Sequence, residues 1–562
     1  MDVVTESLSA CFTRTQELCA ESGYSVSEIP SNQNNALALE VLAHGRQWQL
    51  SVDCDWPTEG TLPSVHLLAN EELLAHVSCT GWVCVNDSES LSIDLSRHAD
   101  TVAQTVIATI KLLEKSADDA EADHTEFLNE LEGYWSNLPS TLVGKTTVEV
   151  DEHSRPARMY IKGADNTFQA YFLEESATPP TEFPKFEGRY NRAVYLPLER
   201  AILPPPRGER LMVDYLDKLK DEFSQEQLPL WKALLGNGAD DEFVALLVSM
   251  PRAAGGRSLL GFLFRVKEGA PVVGAQMSNL LMLRHTVSHM RERGGADLKM
   301  GQKHVVVFGC GSVGSEVADA LASSGVGKLT LVDPQALSSD NVFRHALGRT
   351  WIGTSKARAL HAVLVTQYPG LTAEAAEEGA YRWLLSNADA EVDGYVIAVG
   401  MPTLERQLAR TLRQSQRDVP IVHTWLEPLD LGGHAVLVNS ARKGCLDCLY
   451  RDDEGVDSLS SRTAYLAPGQ TLTRNLTGCA STFTPYGAIQ SRRTALMASE
   501  LMLKALSGTL APKYVYWTGD GTTAEEHALA VTEWWRKARA NSSLDMTEAM
   551  FGTPCKNCRG KK

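Results

Sequence analysis

The sequence predicts a multidomain α/β protein, and three observations lead to this prediction. The chain has 562 residues, enough for about three or four domains. Residues 305–333 are patterned as strand, glycine turn, helix and strand. Segments that alternate apolar and polar residues, as strands of a mixed sheet do, come before this stretch. We therefore divide the chain into residues 1–140, 141–295 and 296–562, and interpret the second part as a linker or scaffold domain.

Composition excludes several classes of function. The formal net charge of -17 argues against a general nucleic-acid binder, because phosphate neutralisation needs clustered Lys and Arg. No run of about 18 apolar residues is present, and the acidic, mixed N-terminus does not resemble a signal peptide. We expect a cytoplasmic protein. In a reducing compartment its 11 cysteines are better interpreted as metal ligands, nucleophiles or core residues than as disulfides.

The glycine turn predicts a nucleotide site. It follows the apolar run that ends at Phe308, and its glycines are Gly309, Gly311 and Gly314. Glycines let the backbone approach phosphates, and a helix N-terminus offers free N–H groups to them. Asp333 follows the next apolar run, where an acid can hold a ribose hydroxyl. On these residues alone, the ligand would be NAD.

Two CxxC pairs predict a zinc site. Both occur in turn-like sequences, KGCLDC and TPCKNC, about a hundred residues apart. A redox CxxC is expected singly at a strand–helix junction, whereas paired knuckles are typical of tetrahedral Zn²⁺ held by four thiolates. With all four positions filled, the role would be structural. The predicted ligands are Cys445, Cys448, Cys555 and Cys558.

The residues after Asp333 change the expected ligand from NAD to ATP. The sequence DNVFRHALGRTWIGTSK resembles the ubiquitin-activating, ThiF and MoeB adenylation fold. The resemblance implies that Asn341 and Arg344 face the nucleotide phosphates and that Lys356 adds positive charge there. Attack of a carboxylate on the α-phosphate builds negative charge, which such cations stabilise, whereas hydride transfer has no such need.

The Mg²⁺ ligand and the arginine that contacts ATP stay open in this comparison with the family. Mg²⁺ is expected with ATP, but residues 394–406 hold no Asp at the place where the family usually supplies one, and Gln335 replaces a second acid near the ribose. The pattern of residues 280–293 predicts a helix, and the family often directs an arginine from such a lead-in to the ATP phosphates, commonly across a dimer interface. Arg284, Arg291 and Arg293 are the candidates, and a solvated helix face is the alternative.

The N-terminal region resembles a ubiquitin-conjugating domain. A helix, short strands and a cysteine loop follow one another, and LAHVSCTGWVCVND is similar to the corresponding loop in bacterial activating–conjugating fusions. The resemblance implies that Cys84 is an acceptor thiol with His76 in the loop before it. The eukaryotic His-Pro-Asn tripeptide is absent, so Asn86 is only a candidate for oxyanion stabilisation. The alternative is a small buried hydrophobe, which a lone cysteine among strands often is.

A further cysteine, Cys479, lies in the segment GCASTFTPYG, which resembles the catalytic-cysteine loop of the same fusions. A thiol near a helix N-terminus has its thiolate favoured and becomes a nucleophile near neutral pH. A buried core cysteine is the alternative. For Cys310, and for Cys11, Cys19 and Cys54, we expect packing roles.

Taken together, the chain resembles the activating–conjugating fusion enzymes of bacterial CBASS anti-phage operons. The implied architecture is an N-terminal ubiquitin-conjugating-like α+β domain, a mixed α/β linker and a C-terminal Rossmann-like adenylation domain with structural zinc. The implied reaction is adenylation of a protein C-terminus, a thioester on Cys479, transfer to Cys84 and ligation to a target lysine. The expected substrate is a cGAS-like CD-NTase or a ubiquitin-like protein, and the expected assembly is a homodimer.

Two other interpretations remain open. One is a MoeB- or ThiF-like activator of a sulfur-carrier or ubiquitin-like protein, in which the N-terminal region only binds partners. The other is a non-enzymatic scaffold that binds NAD or another nucleotide.

Overall fold

The computed structural model divides into two units, Met1–Thr286 and Val287–Lys562. It describes residues 7–31, 35–54, 62–68, 72–85, 92–94, 96–139, 141–163, 168–186, 188–236, 241–275, 277–415, 417–451, 456–470, 474–475, 482–483, 485–509, 511–541, 545–553 and 555–558.

The first unit begins with a four-stranded antiparallel sheet packed against two helices. The strands run in the order β1-β2-β3-β4, and β2 pairs with β3 over eight residues. The three cysteines expected to pack, Cys11, Cys19 and Cys54, are buried in its core. The elements are α1 Leu8–Glu21, β1 Ser25–Ile29, β2 Ala36–Ala43, β3 Arg46–Asp53, β4 Val65–Leu67, α2 His98–Asp118, α3 Ala120–Asn129 and α4 Leu131–Ser136.

A second sheet of eight strands completes this unit. Its order is β11-β10-β12-β5-β7-β6-β8-β9, and an additional pairing between β10 and β9 closes the sheet on itself. Helices α3 and α4 contribute buried Phe127 and Trp135 to the core of this sheet, together with Phe262. The elements are β5 Leu142–Thr146, β6 Arg155–Lys162, β7 Gln169–Glu174, β8 Asn191–Pro197, α5 Tyr215–Lys220, α6 Leu228–Leu235, β9 Glu242–Pro251, β10 Arg257–Lys267, β11 Ala270–Pro271 and β12 Ser278–Arg284.

The helix predicted over residues 280–293 is wrong in its first half. Residues 278–284 form β12, which pairs in parallel with β5 and antiparallel with β10. The alternating burial of Leu280 and Leu281 fits this strand, with the first buried and the second exposed. Pairing with β5, more than a hundred residues away in sequence, and with β10 overrides the local helical pattern. A helix begins only at Val287.

The second unit is built on a seven-stranded sheet. Five strands are parallel in the order β15-β14-β13-β16-β17, and β18 and β21 continue the sheet antiparallel. The elements are α7 Val287–Arg293, β13 His304–Phe308, α8 Ser312–Ser323, β14 Lys328–Val332, α9 Lys356–Gln367, β15 Thr372–Ala376, α10 Ala380–Ser386, β16 Gly394–Ile397, α11 Pro402–Gln414, β17 Pro420–Leu426, β18 Gly432–Asn439, β19 Arg474–Asn475, β20 Thr482–Phe483, α12 Ala488–Leu506, β21 Lys513–Thr518, α13 Thr522–Glu526, α14 Glu533–Ala540 and α15 Thr547–Phe551.

The parallel strands follow the 3-2-1-4-5 order of a doubly wound nucleotide-binding sheet. Alternate residues of β13 face opposite layers. Val305 and Val307 pack with α8, α9 and α12, whereas Val306 and Phe308 pack with α10, α11 and the four-cysteine cluster. In such a sheet the strand order reverses between β13 and β16, and ligands bind at the carboxyl ends of the strands there.

Among the described helices, none combines the length and apolar character that crossing a bilayer requires.

Candidate functional sites

The three glycines of the turn after β13 play different roles. Gly309 has φ +86°, and a Cβ there would lie 2.7 Å from the carbonyl oxygen of Ala398. A Cβ on Gly314 would lie only 1.8 Å from the Gly309 carbonyl oxygen, so the helix could not pack so closely on the turn. A Cβ on Gly311 would meet nothing within 4 Å. The first and third glycines are therefore required by the fold, and the second faces open space.

A cavity of about 730 Å³ lies at the end of the parallel strands. Four of the residues predicted to bind the nucleotide line it: Gly311, Asn341, Arg344 and Lys356. Ala398, Val399 and Gly400 line it from the end of β16. Gly309, Gly314 and Asp333 are not among the described residues that line the cavity.

Asp333 is nearly buried and holds the backbone around the turn. Its carboxylate accepts a hydrogen bond from the backbone N–H of Cys310 and another from that of Gln335, each at 2.8 Å. Cys310 itself is fully buried, as expected for a packing residue, and burial raises the pKa of its thiol. The acid thus fixes the glycine loop, and its predicted contact with a ribose remains a proposal.

Lys356 is positioned by Gln335, the residue that stands where the family often has a second acid near the ribose. Its Nζ donates to Oε1 of Gln335 at 2.8 Å, and the side chain is only 5% exposed. Ser355 caps the helix that begins at Lys356, because its hydroxyl accepts from the backbone N–H of Arg358. A buried ammonium group, held by a neutral amide and lining a cavity, is suited to an anionic ligand.

Arg344 and Asn341 come from a 3-10 turn over residues 339–344 and lie beside each other. Arg344 Nη2 donates to Asn341 Oδ1 at 3.4 Å, and its guanidinium lies 4.6 Å from the ring centroid of Tyr486. The Tyr486 hydroxyl is 2.8 Å from the hydroxyl of Ser312, which is the first residue of α8. Tyr486 was missed as a site residue, although the FTPYG segment that contains it was singled out.

Two carboxyl groups line the cavity, and neither was predicted from the sequence. Glu405, 3% exposed, accepts from the backbone N–H of Gly400 at 3.0 Å, and burial raises the pKa of its carboxyl to about 7. Glu427 accepts from the His434 ring at 3.1 Å, and the other ring nitrogen of His434 is 2.8 Å from the hydroxyl of Tyr514. These are the available carboxyl ligands for Mg²⁺ where the family's acid is missing.

The four predicted zinc ligands form one buried cluster. Their sulfur atoms lie 3.4 to 4.0 Å apart in the four pairs recorded, two within a knuckle and two between knuckles. Tetrahedral coordination at a Zn–S distance of about 2.3 Å requires sulfur separations of about 3.8 Å. The cluster of Cys445, Cys448, Cys555 and Cys558 therefore has the donor set and the spacing for Zn²⁺.

Asp447, inside the first knuckle, ties this cluster to the helix that borders the cavity. Its carboxylate accepts from Arg406 and Arg410 of α11, each through Nε at 2.8 Å. Asn557 of the second knuckle donates to the same group at 2.7 Å. These charge-assisted hydrogen bonds hold the pKa of Asp447 below its usual value despite burial.

Of the three candidate arginines, Arg291 and Arg293 belong to the second unit but do not line its cavity, and Arg284 belongs to the first unit. Arg284 lies on β12 and pairs with Glu132, and it also donates to the carbonyl of Arg257. Arg291 donates to the carbonyl of Gly370 at 3.4 Å, and Arg293 is exposed on α7. A contact with ATP across a dimer interface remains a prediction for Arg291 and Arg293.

Cys84 opens onto a second, mainly apolar cavity of about 360 Å³ in the first unit. It is partly exposed, and its backbone N–H donates to the carbonyl of His76 at 2.8 Å. The lining residues include His76, Trp82, Phe127 and Tyr134. The predicted acceptor cysteine thus lies in a pocket and is not part of the hydrophobic core.

His76 is held in this cavity by Glu130. The imidazole Nδ1 lies 2.8 Å from Glu130 Oε1, and the backbone N–H of His76 donates to Oε2 at 3.1 Å. This hydrogen bond to Glu130 raises the pKa of His76 above its usual value. Cys479 and Asn86 lie outside the described residues, so their predicted roles stay predictions.

Comparison with known proteins identifies relatives of part of the chain. Residues 284–533 match the ThiF family. An ATP-dependent ubiquitin transferase-like protein Cap2 from Vibrio cholerae is 29% identical over 252 residues, covering 40% of this chain and 39% of that protein. Cap2 from Pseudomonas aeruginosa is 26% identical over 216 residues, 37% of each chain. The chain therefore matches about two fifths of the length of these relatives.

Two further likenesses are more limited. Mouse adenylyltransferase and sulfurtransferase MOCS3 is 41% identical over 68 residues, 12% of this chain and 15% of that protein. A crystal structure of Escherichia coli MccB with ATP is 20% identical, with a TM-score of 0.30 over 40% of this chain and 62% of that chain. This TM-score is too low to carry over any feature of MccB. The Cap2 and ThiF matches confirm the predicted resemblance, whereas the ubiquitin-conjugating-like domain stays a prediction.

Proposed function

From the premise that residues 284–533 form a ThiF domain in a relative of the Cap2 proteins, we propose that the second unit adenylates the C-terminal carboxylate of a protein substrate. The observation that carries the proposal is the single cavity lined by Gly311, Asn341, Arg344 and Lys356 at the carboxyl ends of the parallel strands. This cavity places a glycine turn, which is suited to phosphates, beside two cationic side chains.

The chemistry assigns a role to each cation. The substrate carboxylate attacks the α-phosphorus of ATP, a new P–O bond forms, and pyrophosphate leaves. Negative charge builds on the phosphoryl oxygens during this step, and Arg344 and Lys356 stabilise it. Their fixed positions favour this role, since Asn341 and Gln335 already orient them and little reorganisation is needed.

Where Mg²⁺ enters with the nucleotide, Glu427 is the residue that would hold it from the protein side. Glu427 is preferred to Glu405 because the buried His434 orients its carboxylate as an outer partner commonly does for a ligand. Glu405 has a raised pKa and accepts backbone hydrogen bonds at the start of α11, which fits a structural carboxyl better.

Zinc has a structural role in the proposal. All four thiols of the cluster are buried. Four protein ligands would fill the tetrahedral coordination of Zn²⁺ and leave no open position for a substrate. The metal would fix the C-terminal residues 555–558 to the first knuckle and hold Asp447 against α11.

Beyond adenylation, we propose a relay of the activated acyl group. Cys479 attacks the acyl-adenylate, forming a thioester and releasing AMP. The thiolate of Cys84 then attacks that thioester, and a lysine amine of a target protein finally displaces Cys84. Support for Cys84 comes from its partial exposure in a cavity, which suits a nucleophile better than a packing residue.

The proposed biological setting follows from the resemblance to CBASS fusion enzymes. The substrate is a CD-NTase or a ubiquitin-like protein with a free C-terminus, and the enzyme acts as a homodimer. The alternative is a MoeB- or ThiF-like activator with a non-catalytic N-terminal region, which the short MOCS3 match favours.

Non-reducing electrophoresis with ATP, Mg²⁺ and purified candidate substrates tests the relay. Cys84→Ala should accumulate a thioester on Cys479, and Cys479→Ala should form none. Lys356→Ala should abolish both thioesters, whereas Arg358→Ala, on the exposed side of the same helix, should keep them.

Conjugation that persists in Cys84→Ala would overturn the relay and favour the activator. Absence of ATP–pyrophosphate exchange with every candidate C-terminus would overturn adenylation itself.

A further inference from the structure

The role of the His76–Glu130 pair in the Cys84 cavity is not explained by the relay. The imidazole and the thiol-bearing residue line the same cavity, and the Cys84 backbone N–H bonds to the His76 carbonyl. Glu130 contributes both carboxylate oxygens to His76, one to the ring and one to the backbone. His76 is thus held by one carboxylate at its ring and at its backbone, which fixes the residue more closely than packing alone requires.

The backbone of His76 is strained. Its φ is +61°, in the left-handed region that non-glycine residues rarely adopt. A backbone conformation of this kind persists where surrounding contacts favour it. Here the backbone N–H of His76 donates to Glu130, its carbonyl accepts from Cys84, and the residue lines the cavity.

Glu130 also determines the protonation pattern of the ring. A carboxylate accepts hydrogen bonds, so in neutral His76 the proton resides on Nδ1, which donates to Glu130. Nε2 is then the ring atom with a lone pair. A base oriented by a carboxylate, in one cavity with a nucleophilic thiol, is the arrangement by which proteins activate acyl transfer.

We propose that His76, oriented by Glu130, accepts the proton of the amine that attacks an acyl group on Cys84. This inference rests on the proposed function, since it takes Cys84 to carry a thioester. The amine nitrogen forms a bond to the thioester carbonyl carbon, its proton passes to His76 Nε2, and the C–S bond breaks to release the Cys84 thiolate. His76 then returns the proton to the thiolate or to water, so no other reactant is needed.

The cavity also indicates the class of amine. Trp82, Phe127 and Tyr134 give it an apolar lining, and Glu130 lies at the same wall. An apolar channel with a carboxylate fits the methylene chain and ammonium group of a lysine side chain. Glu126 and Asp123 add negative charge near His76, so this side of the cavity attracts a cation.

The pH dependence of the discharge reaction follows from these charges. Glu130, and more weakly Glu126 and Asp123, raise the pKa of His76. The ring accepts a proton only when neutral, so discharge should accelerate as the pH rises through this raised pKa. Removing the Glu130 charge should move the inflection to lower pH.

The test uses the full-length Cys479→Ala chain, so that it does not depend on adenylation. Cys84 is loaded by exchange with a small thioester, N-acetyl-glycyl-glycine mercaptoethanesulfonate, and its discharge by free lysine is followed by intact mass spectrometry between pH 6 and 9. His76→Asn removes the ring at a position where Asn tolerates left-handed backbone. Glu130→Gln removes the charge, and His124→Asn, at an exposed site of the same unit, is the matched control.

We expect His76→Asn to slow discharge at least tenfold and to abolish the inflection, and Glu130→Gln to shift it to lower pH. The ratio of wild-type to variant rates at each pH cancels ionisation of the lysine amine itself. Equal rates and profiles in wild type and His76→Asn, with Cys84 loaded, would overturn this inference but leave the relay intact. Failure of Cys84 to accept any acyl group would overturn the relay. Loss of wild-type discharge in EDTA would instead assign His76, Glu126 and Glu130 to a metal and also overturn the proposal.

Discussion

At the scale of single residues, the three glycines of the turn after β13 differ in what excludes a side chain from each. At Gly309 and Gly314 the excluding atoms belong to the protein, with carbonyl oxygens 2.7 and 1.8 Å from a built Cβ. At Gly311 the protein leaves space, and its φ of -78° is open to any residue. Only a ligand in the cavity would make a side chain at Gly311 unfavourable.

This difference predicts opposite effects for two similar substitutions. Gly311→Ala should change the free energy of unfolding by less than about 1 kcal/mol, the size of a helix-cap effect. It should weaken ATP binding at least tenfold, because the methyl group enters the ligand space. Gly314→Ala should instead destabilise the unit severely. Thermal unfolding and calorimetric ATP titration measure both, and unchanged ATP affinity in Gly311→Ala would place the phosphates elsewhere.

The Glu405 carboxyl gives a prediction of pH-dependent stability. Burial raises its pKa from 4.5 to about 7, so the folded state binds this proton more tightly than the unfolded chain. Its contribution to stability is therefore present at low pH and is lost as the pH rises through 7. Glu405→Gln, which stays neutral, should become more stable relative to wild type by about 2 kcal/mol between pH 5.5 and 8.

Urea unfolding of both proteins at the two pH values measures this difference. Glu391→Gln, at an exposed carboxylate, serves as the control and should show no such trend. A constant difference for Glu405→Gln at both pH values would show that the carboxyl is ionised in the folded protein.

At the scale of secondary-structure elements, α11 borders both the proposed nucleotide cavity and the proposed zinc cluster of the second unit. Its first turn presents Glu405 to the cavity, and Arg406 and Arg410 hold Asp447 of the first knuckle. Phe308, at the end of β13, packs in one cluster with residues of α11 and with the four cysteines. The knuckles are therefore part of the core that supports the nucleotide turn.

Removal of the zinc ligands should consequently destabilise the second unit. We expect one zinc per chain by elemental analysis, and loss of zinc with a lower unfolding temperature in Cys448→Ala and Cys555→Ala. Cys79→Ala, in the first unit, should keep its zinc and is the matched control. Full zinc content in either knuckle variant would exclude the proposed ligand set.

Local sequence predicted the elements whose contacts are local. The glycine turn and each CxxC knuckle span only a few residues, and the strands that flank the turn are next to it in the sequence. The spacing of these residues is therefore enough to predict their local geometry. Residues 280–284 were assigned to a helix wrongly because β12 pairs with β5, which lies more than a hundred residues earlier in the sequence, as well as with β10. The His76–Glu130 pair joins residues 54 positions apart, and only the packing of the helix that ends near Glu130 brings them together.

At the scale of the whole molecule, the expected homodimer requires an apolar surface. On the second unit Phe343 is 95% exposed between Asn341 and Arg344, and Ile489 at the start of α12 is 77% exposed. Exposed apolar residues that share one patch commonly mark interaction surfaces, and the turn over residues 339–344 contacts α12. On the first unit, Val273 is 87% exposed and serves as the comparison.

Phe343→Asp should therefore convert a dimer into a monomer, because burying a charge without a partner is strongly unfavourable. Analytical ultracentrifugation should give twice 61.4 kDa for wild type and 61.4 kDa for the variant. Val273→Asp should remain dimeric. A dimeric Phe343→Asp would place the subunit interface on another face.

The contacts of Asp447 have a thermodynamic consequence for the two ligands of the second unit. Because α11 borders both proposed sites, we expect binding at one site to change the binding free energy at the other, and any such coupling is reciprocal. If zinc raises the affinity for ATP by some factor, ATP must raise the affinity for zinc by the same factor. A saturating nucleotide should then slow the release of zinc to a chelator, and Asp447→Asn should reduce that protection.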